Sequence, residues 1–219
     1  MDELKTILPV LAAYLLGAVP FGLIVARVFG VSDLRSRGSG NIGATNVWRV
    51  LGPGAAVWVY VLDIGKGIAV VLTARQIDQV LLSRDLFLIC CAVAAIIGHV
   101  FPVYLGFKGG KGVNTALGAM ITLLPVEVVI CLGLFVLVVL TSRYVSLGSL
   151  AAGVALPVVL AVEKTLAGRG MADVYQYAAV LVAILVVVTH RGNIRRLLSG
   201  TENRFSFSSR EGGAGSRGR

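Results

Sequence analysis

Apolar residues run along this chain in long stretches separated by short polar links, and the stretches predict helices over about 4–28, 54–74, 86–105, 113–124, 126–141, 145–162 and 174–190. Crossing the hydrocarbon of a bilayer takes about 20 apolar residues. At ~1.5 Å per residue the 113–124 run covers only part of that thickness, which suits a half-helix or a re-entrant element. Pro125 supports a break there, because proline removes a backbone donor and disfavours helix in the residue before it. The predicted fold class is all-α, a polytopic integral membrane protein of about seven transmembrane helices, some short or broken.

Basic residues between the runs set the expected orientation. Arg27 ends the first run and Arg35, Arg37 and Arg49 follow it; Lys108 and Lys111 follow the third, Arg143 the fifth, and Arg191, Arg195, Arg196 and Arg204 the last. Such segments belong on the cytoplasmic side. The other links balance their charge, with Arg75 and Arg84 against Asp78 and Asp85, and Lys164 and Arg169 against Glu163 and Asp173, and suit the outside. Placing Lys111 and Arg191 on one side requires an even number of crossings between them, hence a split at Pro125. Seven helices with the N-terminus outside satisfy both conditions.

Composition narrows the picture. With 57% hydrophobic and 14% charged residues and a mean hydropathy of +0.88, residues 1–205 read as one membrane domain. The first run is too long for a signal-peptide core and reads as a retained span. The tail 206–219, SFSSREGGAGSRGR, lacks periodicity and is expected to be disordered. Cys90, Cys91 and Cys131 lie inside apolar runs with neither disulfide nor zinc spacing, so no metal and no cofactor is expected. The net charge of +9 fits anionic lipid headgroups or phosphorylated substrates. Nucleic acid is disfavoured because no soluble domain remains to bind it, and no obligate protein partner is evident.

Polar chemistry gathers in three links. Gly98 to Thr115, GHVFPVYLGFKGGKGVNT, sets Lys108, Gly109, Gly110, Lys111 and Gly112 at the rim of a span. Clustered glycines and lysines favour a phosphate, while the same loop also fits a flexible basic turn. It is not a nucleotide P-loop, because Gly112 follows Lys111 where Ser or Thr is needed. Gly38 to Gly52, GSGNIGATNVWRVLG, supplies Ser39, Asn41, Thr45, Asn46 and Arg49. If Thr45 or Asn46 caps a helix, Arg49 falls on its first turn, able to face an anion; a turn and cap with a membrane-flanking arginine is the plainer reading. Thr189 to Arg204, THRGNIRRLLSGTENR, carries His190 and Asn193 on one helical face and Glu202 beyond. His190 at a helix end also suits capping, Glu202 an ion pair that pins the helix, and His99 a positioning role. Within the second run, Asp63 and Lys66 are spaced to pair with each other, with a substrate-lining role second. The topology puts the three links at one membrane face, a set suited to phosphate-containing substrates, whether for catalysis or for a carrier of a phosphorylated metabolite.

GSGNIGATNVWR, GHVFPVYLGFKGGKGVNT and HRGNIRRLLSGTE, in this order, resemble the three motifs of the bacterial acyl-phosphate:glycerol-3-phosphate acyltransferases, the PlsY family. GAVPFG, LDIGKG and TSRYVSLGS extend the likeness over nearly all the chain except its tail. Asn114 departs from the alanine usual at that place. The resemblance implies an inner-membrane enzyme of phospholipid biosynthesis that moves an acyl group from acyl phosphate to the sn-1 hydroxyl of glycerol 3-phosphate, with no cofactor. It implies that Ser39, Arg49, His190 and Asn193 act in catalysis and that Gly109, Gly110 and Gly112 form phosphate-binding backbone. Asn41, Thr45, Asn46, Lys108 and Lys111 join the binding set, and Glu202 is structural.

Overall fold

The computed structural model describes residues 2–78, 81–166 and 172–205, all helices and connecting loops. The expected tail at 206–219 lies outside the described residues. In chain order the helices are α1 (Asp2–Ala18), α2 (Phe21–Val28), α3 (Ala44–Leu51), α4 (Pro53–Ala74), α5 (Arg84–Val100), α6 (Val113–Leu123), α7 (Pro125–Ser142), α8 (Val145–Leu166), α9 (Asp173–Thr189) and α10 (Arg191–Leu198), with a 3-10 turn at Val103–Leu105.

Five stretches, 3–28, 53–74, 84–105, 125–142 and 145–166, are long and apolar enough to cross a membrane. A sixth candidate is the pair α9 and α10, bent by 60° at His190. α6 is the short apolar helix that the 113–124 run predicts, and α7 begins at Pro125. Large side chains such as Leu4, Leu8, Trp58, Val61, Val129, Leu137 and Leu140 stay exposed on these helices, as a lipid-facing surface requires.

Close helix pairs position the polar links. In lipid, association depends on packing, and small residues let backbones approach. A Cβ on Gly17 of α1 would fall 2.1 Å from the Ala95 carbonyl oxygen of α5, and one on Gly118 of α6 would fall 2.0 Å from that of Ile64 in α4. The first contact seats α1 on α5, and the second seats α6 on α4.

Two expectations change. The 4–28 run is not one continuous helix: it breaks at Val19-Pro20, where proline has no N–H to continue the ladder, and the Val19 carbonyl at the break accepts from Phe21 N–H at 3.1 Å and from Lys66 Nζ at 3.2 Å. Nor does Thr45 or Asn46 cap a helix. Gly43 holds the N-cap position of α3, both residues lie inside that helix, and Arg49 sits in its last turn instead of its first.

Candidate active site

The loop before α3, the glycine loop, the start of α8 and the α9–α10 bend enclose a cavity of about 440 Å³. Its wall brings together Ser39, Asn41, Thr45, Asn46 and Arg49 with Gly109, Gly110, Lys111, Gly112, His190, Asn193 and Glu202. Lys108 is the exception. It is exposed and outside the wall, and its carbonyl accepts from Arg35 on the loop ahead of α3.

Local hydrogen bonds decide what each wall residue has left for a ligand. Asn46 is buried, and its amide ties the first loop together: Oδ1 accepts the Ser39 N–H at 2.7 Å, while Nδ2 donates to the carbonyls of Arg37 at 3.1 Å and Asn41 at 2.8 Å. It shapes the loop, so its expected place as a binding group gives way to a scaffolding one. Asn41 Oδ1 accepts from Gly43 N–H at 2.8 Å. Half-buried Arg49, by contrast, forms no hydrogen bond or ion pair with a described side chain. Burial is the main influence pulling its pKa down, and Glu202 opposes it.

The glycine loop also differs from expectation in one respect. Gly109 N–H donates to the Val100 carbonyl and Gly110 N–H to that of His99, both at 3.1 Å, so neither donor is free. Glycine is needed there for closeness: a Cβ on Gly109 would lie 2.2 Å from the His99 carbonyl oxygen, and one on Gly110 would lie 2.3 Å from His99 Nε2. Gly112 has φ +77°, which only glycine adopts freely. The open donors lie one step on, at the start of α6, where the first N–H groups of a helix have no intrahelical partner and attract anions. Lys111, Gly112, Val113 and Asn114 bring that helix start to the wall.

Across the cavity, Lys111 Nζ donates to Asn193 Oδ1 at 2.6 Å, and Asn193 Nδ2 donates to Glu202 Oε1 at 2.6 Å. Glu202 also accepts from Ser146 Oγ at 2.9 Å and from Arg196 Nε at 2.7 Å. Burial acts to raise the Glu202 pKa, but these bonds outweigh it and hold the carboxyl below its usual range. For Lys111 burial dominates: it lowers the ammonium to about 8, with Glu202 working the other way. His190 is buried, and its Nδ1 lies 2.8 Å from the Val186 carbonyl, which fixes the ring at the bend.

Three lining groups carry no chemical role in the sequence reading. Ser146 and Ser149 open α8 inside TSRYVSLGS, and Arg196 lies inside the third motif. Hydroxyls at a span end were the available signal, but nothing local shows Ser146 reaching a glutamate 56 residues away. At the floor, Asp63 and His99 also line the cavity. The expected Asp63–Lys66 pair forms at 2.9 Å, and Lys66 Nζ also lies 2.9 Å from His99 Nδ1.

A family model for glycerol-3-phosphate acyltransferases matches residues 7–200. The chain belongs to the glycerol-3-phosphate acyltransferase family. It is 46% identical over 194 residues to the glycerol-3-phosphate acyltransferase of Geobacter sulfurreducens, covering 88% of this chain and 94% of that one. It is 38% identical over 226 residues to that of Chlorobaculum tepidum, covering 90% and 95%. Among solved structures, it resembles a crystal structure of PlsY, an integral membrane glycerol 3-phosphate acyltransferase, in its glycerol 3-phosphate form, with TM-score 0.81, 38% identity, and 92% and 96% of the two chains covered. The lysophosphatidic acid form of PlsY gives TM-score 0.79 at 36% identity, covering 92% and 95%. This acyltransferase is an integral, multi-pass membrane enzyme of phospholipid synthesis.

Proposed function

We propose that the enzyme transfers a fatty acyl group from acyl phosphate to the sn-1 hydroxyl of glycerol 3-phosphate, giving lysophosphatidic acid and inorganic phosphate at the cytoplasmic membrane face. The carrying observation is one cavity that holds cations with donors to spare, Arg49 and Lys111 among them, beside the open helix start of α6. Both substrates carry a phosphate, and the main obstacle is bringing two anions together. Fixed cations and N–H groups lessen that repulsion and stabilise charge on the departing phosphate. Ser39, Asn41 and Thr45 stand beside Arg49 as further polar contacts on the same wall.

The hydroxyl oxygen attacks the acyl carbonyl carbon, the carbon–oxygen bond to phosphate breaks, and the hydroxyl proton passes to an oxygen of the departing phosphate. His190 and Asn193 orient the hydroxyl in this scheme, and no acyl-enzyme is needed, since all three cysteines lie inside α5 and α7. Glu202 is structural, as the anchor that aims Asn193 and Arg196. The acyl chain lies along the apolar spans while its phosphate meets the cavity.

Purified enzyme given synthetic acyl phosphate and glycerol 3-phosphate should release phosphate and lysophosphatidic acid in equal amounts. Product formed only with a different acyl donor would sink the acyl phosphate assignment. Cysteine labelling of intact cells, in a background without Cys90, Cys91 and Cys131, should modify positions 78 and 164 from outside and spare 39, 111 and 193. Strong outside labelling at 111 overturns the orientation.

A further inference from the structure

The chain has two histidines, both on the cavity wall, and their surroundings place opposite chemistry at Nε2. His190 Nδ1 lies 2.8 Å from the Val186 carbonyl, which can only accept, so that ring carries its proton on Nδ1 and a lone pair on Nε2. His99 is arranged the other way round. Its Nδ1 lies 2.9 Å from Lys66 Nζ, and an ammonium has three donors and no acceptor. Three accepting groups surround that ammonium: His99 Nδ1, the Val19 carbonyl at 3.2 Å, and the Asp63 carboxylate, which is an ion partner at 2.9 Å. Asp63 Oδ1 stands 3.6 Å from His99 Nδ1, too far for a hydrogen bond that would keep a proton there. The Thr115 hydroxyl, 3.2 Å from the same nitrogen, can donate to it as well. Nδ1 is therefore the lone-pair nitrogen, and the ring proton sits on Nε2.

Nε2 of His99 lies directly beneath Gly110, at the place where a Cβ on that residue would come within 2.3 Å. It has no hydrogen-bond partner among the described residues, and unlike Asp63 Oδ1 it is not sealed away from the cavity. We infer that His99 is a further substrate-binding residue whose Nε2–H donates to a phosphoryl oxygen of a bound substrate, and that Lys66, anchored by Asp63, is a positioning residue that holds the donor tautomer. This rests on the reading of the cavity as a site for phosphorylated substrates. A neutral, pre-aimed donor adds stabilisation without another cation to desolvate, next to the helix start that the same phosphate uses.

Two measurements test it. In untagged enzyme with 15N-labelled histidine only two rings report, and His190→Gln assigns them. Wild type should show one Nε2–H ring, His99, and one Nδ1–H ring, His190; a His99 ring protonated on Nδ1 overturns the proposal, and two Nδ1–H rings in wild type do so even if no variant folds. Binding of glycerol 3-phosphate by titration, with KM for each substrate, forms the second arm. Glutamine sets an amide near the Nε2 position and asparagine near Nδ1. His99→Asn should therefore weaken one phosphorylated substrate on the order of tenfold or more, while His99→Gln stays within about threefold. Lys66→Met should weaken that same constant and change the ring tautomer. The substrate whose constant moves identifies the phosphate. Equal losses in His99→Asn and His99→Gln, or none, reject the assignment. Because glycerol 3-phosphate binding needs no acyl donor, this arm survives even if acyl phosphate proves to be the wrong donor.

Discussion

The floor and the rim of the cavity hold similar residues under different terms. At the floor, Lys66 is enclosed, with the Val19 carbonyl and His99 Nδ1 as hydrogen-bond partners and the Asp63 carboxylate as its ion partner. At the rim, Arg49 is half-buried with no protein partner among the described residues, and Lys111 has one, Asn193. A cation whose donors are all taken holds a structure together, whereas one left with open donors at a cavity wall waits for an anion. Residue type does not separate these roles; the count of acceptors around each cation does. The floor then acts on substrate only through what it supports, and the rim acts directly.

The sharpest test of that division is Arg49→Lys, which keeps the charge and removes the planar fork. If Arg49 grips a phosphate with two parallel bonds, kcat/KM should fall by about 100-fold with little change in Tm. A variant that keeps near-normal activity would move Arg49 into the membrane-flanking class and erase the contrast with Lys66.

The next effect belongs to the floor and should appear in stability. Lys66→Met leaves the Asp63 carboxylate buried without its partner, a change that costs about 3–5 kcal/mol in comparable pairs. The double variant Asp63→Leu with Lys66→Met removes both charges and should recover most of the thermal stability of detergent-purified enzyme. It should not recover substrate affinity, because the donor tautomer of His99 has lost its support. Recovery of both would show the floor to be structural only.

This division was only partly legible in the sequence. The apolar runs gave the spans because hydrocarbon imposes a length and a composition on each one, and Pro125 marked a true boundary. Pro20 carried the same signal inside GAVPFG, but the apolar run continues across it, so hydropathy alone joins α1 to α2. At the site, sequence motifs named which side chains to gather, and the fold gathers all but Lys108. They did not show how each hydrogen bond is used. Gly109 and Gly110 look like open donors because two glycines leave the backbone bare, yet both N–H groups turn back to α5. Asn46 looks like a ligand contact and spends its amide on its own loop. The contact between Lys66 and His99 spans 33 residues and depends on the packing of α4 against α5, which no local pattern encodes.

The smallest effect concerns the second rim cation. Burial holds Lys111 at about 8, so the free enzyme carries its charge below that pH and loses it above. If Lys111 must be cationic to bind phosphate, kcat/KM should decline through an alkaline limb near 8. The limb in kcat should lie higher, because a bound phosphate favours the ammonium. Glu202 supplies the opposing influence that raises the Lys111 pKa, acting through space and reaching the lysine by way of Asn193. Glu202→Gln keeps an acceptor for Ser146 and Asn193 but removes the negative charge, so the same limb should move to lower pH. A limb that stays in place in that variant would mean the titrating group lies elsewhere. A limb that moves with Glu202→Gln yet stays fixed in Lys66→Met would locate the titrating charge at the rim and leave the floor out of it.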